Sequence, residues 1–308
     1  LRELGVTRAE LGVQALDDKI LELTKRGHTV EDTVRATVLL KAAAFKTDYH
    51  ILPGQPGATP ERDIEMFDQL FADERFCPDM IKLYPCVVLP TAELAQWHAE
   101  GKYQALEGET LIEMMVRMQS VIPRYCRVSR LIRDFPSFEI SAGNKVTNLR
   151  DVIEVRMKER GIHCRCLRCR EAGHRPPLAS DVKLVVFRDV YRNAYGTEYF
   201  LSVEDEQRTT VVSFLRLRLP DFDPVIENAK TTKMFDEVQK EFPELDNCAF
   251  IRELHTYGQA LKLSEGRTDA VQHRGWGKVL MAEAEKIAKE HGYKGIAVIS
   301  GVGVREYY

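Results

Sequence analysis

Residues Gln272-His-Arg-Gly275-Trp276-Gly277 lead directly into Lys278-Val-Leu-Met-Ala-Glu-Ala-Glu-Lys-Ile-Ala-Lys289. Two glycines two apart therefore open a stretch whose apolar residues recur at helical spacing. A helix starting there leaves backbone N–H groups unpaired, and its macrodipole favours an anion at that end. A phosphate-cradling loop fits this pattern, and so does a plain tight turn before a helix. The flanking residues bear on the choice. Upstream, Ala249 to Tyr257 reads as a strand closed by Gly258. Downstream, a Gly292-Tyr turn precedes the short apolar run Ile296 to Gly301. The predicted order is strand, glycine loop, helix, strand.

The chain has 308 residues, 44% hydrophobic and 30% charged, which suits a soluble globular protein of two or more domains. A net charge of −3 predicts no overall affinity for nucleic acid, so any basic surface must be local. No run approaches the ~20 apolar residues needed to span a bilayer, and no signal peptide is evident, so a cytoplasmic protein without membrane contact is expected. The first residue is Leu1, and both ends fall inside motifs, as in a piece of a longer chain.

Of seven cysteines, Cys77, Cys86, Cys126 and Cys248 are scattered singly and read as small buried hydrophobes. Cys164, Cys166 and Cys169 are clustered between His163 and His174. That group supplies thiolates for a structural tetrahedral zinc site, with His163, His174 or Cys126 open as the fourth ligand. Reduced, uncommitted thiols are the alternative.

The N-terminal third alternates. Ala9 to Gln14 reads as a strand carrying polar Glu10 and Gln14, and a helix follows to about Lys25. Gly27-His-Thr29 caps a second helix running to Ala44, Thr47 to Leu52 is a strand, and Pro53 to Gly57 forbids its continuation. Another capped helix starts at Thr59, and Met80 to Pro85 is a strand. This order predicts a parallel α/β sheet with its site at the strand C-termini, where Gln14, His50 and Lys82 fall. Arg124, Arg127, Arg130 and Arg133 then recur every third residue, followed by a further set that includes Arg165 and Arg168. One positive face binding a phosphate backbone is expected, with Tyr125 offering a base a stacking surface. A solvated helix face, or ion pairs with Asp134, Asp151, Glu154 and Glu159, is the alternative. Beyond a linker at Arg175 to Ala179, Lys183 to Arg188 begins a strand-rich region. There Thr197 to Val203 and Thr209 to Arg218 form a hairpin, and Met234 to Phe242 is amphipathic.

Gln272-x-x-Gly275-x-Gly277 with its flanking strands resembles the acetyl-CoA-binding core of the GNAT N-acetyltransferases. Glu10-Leu-Gly-Val-Gln14 followed by Arg26-Gly-His-Thr29 is similar to a pair seen in radical-SAM barrels. The combination resembles the Elongator catalytic-subunit family along nearly the whole chain. Further matching residues are His50 to Gly57, Glu61 to Glu65, Lys82 to Pro85, Ile251 to Gly258 and Val298 to Arg305. The cysteine cluster looks like the archaeal and bacterial branch.

The resemblance implies an α/β architecture with three parts. The second half of a radical-SAM (β/α) barrel covers 1–120, a basic zinc-binding connection covers 121–177, and a C-terminally truncated GNAT-type α+β domain covers 178–308. It implies acetyl-CoA along Glu253, Leu254 and His255 and in the loop Gln272, His273, Arg274, Gly275, Trp276 and Gly277. Tyr307 and Tyr308 fall beside the thioester as catalytic candidates, and Gln14 and Lys82 as cofactor contacts. The implied activity is radical conversion of the tRNA wobble uridine to 5-carboxymethyluridine, with S-adenosylmethionine and a [4Fe–4S] cluster as further cofactors. A tRNA anticodon stem-loop is the implied partner, with a homodimer left open. No C-x₃-C-x₂-C occurs in the chain, so ligand binding without the radical step is expected of these residues. A GNAT-class protein lysine N-acetyltransferase, with Glu253 or His255 as base, is the competing reading, and a non-catalytic tRNA scaffold is a third.

Overall fold

The computed structural model describes residues 2–132, 135–179, 181–220, 229–257 and 275–308. Arg133, Gln272, His273 and Arg274 lie outside the described residues. The chain divides into two compact units, Glu10–Arg35 with Asp48–Cys166, and Leu1–Ala9 with Ala36–Thr47 and Leu167–Tyr308.

The four-stranded sheet is built from β1 (Arg8–Gln14), β2 (Lys46–Ile51), β3 (Met80–Leu83) and β4 (Arg127–Arg130), in that spatial order. β2, β3 and β4 pair in parallel. The parallel α/β order expected from the alternating pattern is therefore present. Between its strands run α1 (Asp18–Leu23), α2 (Val30–Ala42), α3 (Pro60–Ala72), α4 (Glu93–Ala99) and α5 (Gly108–Val121). α3 illustrates how sequence sets an element. Thr59 Oγ1 accepts from Arg62 N–H, Pro60 fills the first helical position, and buried Asp63, Met66, Phe67 and Leu70 share one face. α6 (Leu149–Glu159) presents Leu149, Ile153 and Met157 to the interior, and its Arg156 and Arg160 ion-pair with Glu113 of α5.

The strand-rich unit opens with the single turn α7 (Leu167–Arg170) and carries a five-stranded sheet in simple order. β5 (Leu184–Arg192), β6 (Thr197–Asp205), β7 (Val211–Leu219) and β8 (Cys248–Thr256) are antiparallel neighbours. α8 (Ala229–Glu241) precedes β8. α9 (Trp276–Glu290) follows it, and β9 (Gly295–Val298) then pairs with β8 in parallel. Gly277, Leu280, Ala284, Ile287 and Ala288 line one face of α9, and the last four pack with Leu201, Val203, Leu215, Leu217 and Ile251 of the sheet.

Two buried clamps fix the backbone. In the strand-rich unit Glu198, fully buried, accepts from Arg252 Nη2 at 2.6 Å and Arg218 Nη1 at 3.1 Å, with Lys41 Nζ at 3.7 Å. Arg252 also donates to Phe45 O at 3.1 Å. In the other unit Gly54, just past β2, is held on both sides. Its N–H donates to Asp63 Oδ2 at 2.6 Å and its carbonyl accepts from Tyr103 Oη at 2.6 Å.

Burial pushes the Asp63 carboxyl from 3.8 up to about 7, against the opposing Gly54 N–H. The folded chain thus holds this proton more tightly than the unfolded one. The resulting stabilisation is complete below about pH 4 and is lost as pH rises through 7. Asp63→Asn removes the titration. Its stability relative to wild type should rise by at most about 4 kcal/mol between pH 4 and pH 8, measured by urea unfolding. Parallel pH curves for the two proteins would contradict the assignment.

Candidate functional site

Parallel sheets are normally covered by apolar layers on both faces. Alternation in β1 to β3 instead sorts the side chains sharply. Val13, Tyr49, Ile51, Ile81 and Leu83 are buried on one face. The other carries Glu10, Gly12 and Gln14 on β1, His50 on β2 and Lys82 on β3, with His50 and Lys82 directly paired in register. Glu10 Oε2 accepts from His50 Nε2 at 3.0 Å and from Lys82 Nζ. The Tyr84 ring meets His50 edge-on at 5.8 Å. Three adjacent strands thus contribute one carboxylate and two nitrogen donors to a single half-buried cluster.

Gln14 closes β1 in a left-handed conformation, with φ 66°, and is 7% exposed. Its amide and the Arg26 guanidinium converge over Gly12. A cavity of about 220 Å³ opens at the strand ends, lined by Leu23, Arg26, Leu52, Gln55, Cys86 and Trp97 among others. The structure therefore brings Gln14, His50 and Lys82 to the same sheet face, and adds Glu10 and Arg26. Arg26 was visible only as part of a helix-cap pattern. Nothing in its spacing shows that it turns back over β1.

The second constellation surrounds the start of α9. Gly275 caps the helix at φ 77° and offers no side-chain acceptor to the first-turn N–H groups. β8 pairs with β9 only as far as Ile251, and Glu253, Leu254 and His255 continue beyond that pairing while still bonded to β7. Tyr307, in the 3₁₀ turn Val302–Tyr307, lies over this helix start. A Cβ on Gly277 would sit 2.5 Å from the Tyr307 hydroxyl, so only glycine leaves that hydroxyl where it is. The Tyr307 and Tyr308 rings meet edge-on at 5.2 Å. Partial burial raises the Tyr308 phenol pKa, and Tyr307 and the Glu253 carboxylate add to the shift.

Glu253 is engaged on both sides, by Arg216 Nε at 2.9 Å and Lys46 Nζ at 3.3 Å. These two cations occupy its oxygens and compete with any amine for them. His255 is exposed, its ring 4.6 Å from that of Tyr257.

Cys164, Cys166 and Cys169 converge, with all three sulfurs within 4.8 Å of one another. Among the described residues no His, Asp, Glu or further Cys joins them. His174 is paired instead with Glu171 at 2.8 Å, and Cys126 is buried.

Within the arginine series, Arg127 and Arg130 lie on β4 rather than on a helix. Arg127 pairs with Met80 and Arg130 with Lys82, with a one-residue slip between them. Met80 and Lys82 are two apart on β3, so the slip sets both arginines opposite the same face. Arg130 and Arg165 are exposed, whereas Arg124, Arg127 and Arg168 are half-buried. The expectation for Tyr125 is corrected: at 5% exposure it belongs to the core and presents no stacking surface.

Among the described residues no helix is long and apolar enough to cross a membrane. The Radical SAM superfamily model matches residues 1–70, and the Radical_SAM C-terminal domain model matches residues 78–159. The tRNA uridine(34) acetyltransferase of Methanocaldococcus jannaschii is 41% identical over 312 residues, covering 99% of this chain and 55% of that protein. The protein of that name from Dehalococcoides mccartyi is 41% identical, with 99% of this chain and 64% of its own length covered. Elongator complex protein 3 of Homo sapiens is 38% identical, over 99% of this chain and 53% of its own. The chain thus spans little more than half the length of most of these curated relatives. The solved structure of archaeal Methanocaldococcus infernus Elp3 with an N-terminal deletion (1–46) superposes with a TM-score of 0.84 at 41% identity, covering 100% of this chain and 70% of that one. Coverage and identity at this level show that the chain belongs to the Elongator catalytic-subunit (Elp3) family of radical SAM proteins.

Proposed function

We propose that this chain is the ligand-holding part of an enzyme that converts the tRNA wobble uridine to 5-carboxymethyluridine, with acetyl-CoA as the carbon source. The observation that carries the proposal is the α9 start. There a left-handed glycine cap without a side-chain acceptor, the run of β8 past β9 and the Tyr307 hydroxyl meet in one place. In this reading the unit is a GNAT-type domain. The amides of Gly275, Trp276 and Gly277 hold the pyrophosphate, with Gln272, His273 and Arg274 completing the loop. Glu253, Leu254 and His255 lie along the pantetheine, and Tyr307 or Tyr308 stands at the thioester. The names of the relatives, tRNA uridine(34) acetyltransferase, support uridine 34 as the acceptor.

The four-stranded sheet reads as part of a radical-SAM barrel. S-adenosylmethionine bound to a [4Fe–4S] cluster supplies radical chemistry in such proteins. The cysteines of this chain include no C-x₃-C-x₂-C, and their one cluster is spaced C-x-C-x₂-C, so its residues do not fit that cluster and no step is assigned to it. Gln14, Arg26 and Lys82 do suit a zwitterionic nucleoside: an amide for hydroxyl groups and cations for a carboxylate. Cys164, Cys166 and Cys169 suit zinc, because sulfurs bound at about 2.3 Å in a tetrahedron stand roughly 3.8 Å apart. Its role would be structural, holding the connection next to the arginines that meet tRNA: Arg124, Arg127, Arg130, Arg133, Arg165 and Arg168. The lysine N-acetyltransferase reading is weakened by Glu253, whose two cationic partners disqualify it as a ready general base.

Acetyl-CoA hydrolysis measured with and without tRNA tests the proposal. Hydrolysis should depend on tRNA in the wild type and fall at least tenfold in Gly275→Trp, whose indole blocks the phosphate loop. Turnover that ignores tRNA but rises with lysine peptides would reject it. Metal analysis of the purified chain should find about one zinc per molecule, lost in Cys166→Ser. Equal metal content in both proteins would remove zinc from the account.

A further inference from the structure

The loop that follows β4 presents a large apolar side chain to solvent without an internal reason to do so. Phe138 is 85% exposed at the tip of a short 3₁₀ turn, Ser137–Glu139. The loop around it is firmly anchored. Ile140 is buried, Ser141 N–H donates to Val88 O at 2.8 Å, and Val88 N–H donates to Ala142 O at 2.9 Å. Gly143 is wedged against Cys86 O and Val87. Both anchoring segments lie just past the C-terminal ends of β3 and β4, the end at which parallel α/β sheets carry their sites. Phe138 is thus held out on a fixed support at the functional end of its unit.

The surroundings indicate the ligand chemistry. Arg130, exposed at the end of β4, precedes the loop, and exposed Lys145 follows it. Glu139 is the sole carboxylate between 135 and 147. A hydrophobic protein partner would be matched by a broader apolar patch, whereas the exposed apolar residues of this loop are Phe138 and Val146, with Lys145 beside the latter. One exposed ring in a segment bounded in sequence by an exposed arginine and an exposed lysine fits a single unpaired nucleobase, whose face stacks on the ring while the positive charge of the segment favours its phosphates.

We propose that Phe138 is a stacking platform for an unpaired base of the tRNA anticodon loop, replacing the role that buried Tyr125 cannot play. This rests on the tRNA reading above and adds the residue that holds the base. Stacking is worth about 1–3 kcal/mol per base, so Phe138→Ala should weaken binding of an anticodon stem-loop by roughly 5- to 150-fold. Phe138→Trp should restore wild-type affinity. Because the ring touches no phosphate, the slope of log affinity against log salt should be the same in Phe138→Ala as in wild type, whereas Arg130→Gln should reduce that slope.

The full chain should be titrated with an anticodon stem-loop carrying 2-aminopurine at one loop position at a time, at two salt concentrations. At one position the probe should be quenched by wild type and by Phe138→Trp, and not by Phe138→Ala. An alanine variant that binds and quenches like wild type overturns the stacking role and leaves tRNA binding standing. If wild type itself shows no salt-dependent binding, the tRNA reading fails and the stacking role falls with it. Phe138 is exposed, so unchanged thermal unfolding of the alanine variant separates lost binding from lost folding.

Discussion

Glu198 is the residue on which the strand-rich unit depends. It is a fully buried carboxylate facing three buried cations, Lys41, Arg218 and Arg252, drawn from α2, β7 and β8. Ion pairs out of water are not inherently stabilising, because desolvation of each charge costs several kcal/mol. Removing one member is nevertheless expensive, since it strands the rest without compensation, by about 3–5 kcal/mol. Arg218 also donates to the Asn193 and Ala194 carbonyls, and Arg252 to the carbonyl of Phe45. The network therefore specifies geometry. It explains why residues 36–47, which lead into the parallel sheet, cluster with the antiparallel one.

The two constellations differ in their backbone setting: the first sits on strands that are still paired, and the second where a strand has outrun its neighbour. On the parallel sheet, Glu10 pairs with Lys82 and with His50, so a polar face persists in a fold that usually buries both faces. On the antiparallel sheet, β8 outruns β9, and α9 starts beside it on a glycine. The Gly277 site shows how tightly this second place is built, since one methyl group would displace the Tyr307 hydroxyl.

Periodicity and punctuation made much of the fold legible. Thr59-Pro60 marked the start of α3, and the alternation from Ala9 to Lys82 marked a parallel sheet, because capping and turn chemistry are local. The hairpin of β6 and β7 was equally plain. What the sequence concealed depends on contacts across long separations. Glu198 and Lys41 are unremarkable in their own segments, and their pairing exists only once the chain has folded. Tyr125 sits among arginines in sequence yet is buried, together with Cys126, in the turn that precedes β4. Phe138 left no periodic signal because a single exposed aromatic on a short turn has none. The cysteine cluster was visible from spacing alone, but the pairing of His174 with the Glu171 carboxylate was not.

Wobble-uridine modification is the central claim, and nucleoside mass spectrometry tests it most directly. Full-length protein carrying this chain would be incubated with tRNA, acetyl-CoA, S-adenosylmethionine and a reductant, and the tRNA then digested. The expected result is 5-carboxymethyluridine at position 34, absent when acetyl-CoA is omitted. Unmodified uridine from a cofactor-loaded protein, together with acetylation of added lysine peptides, would contradict the account.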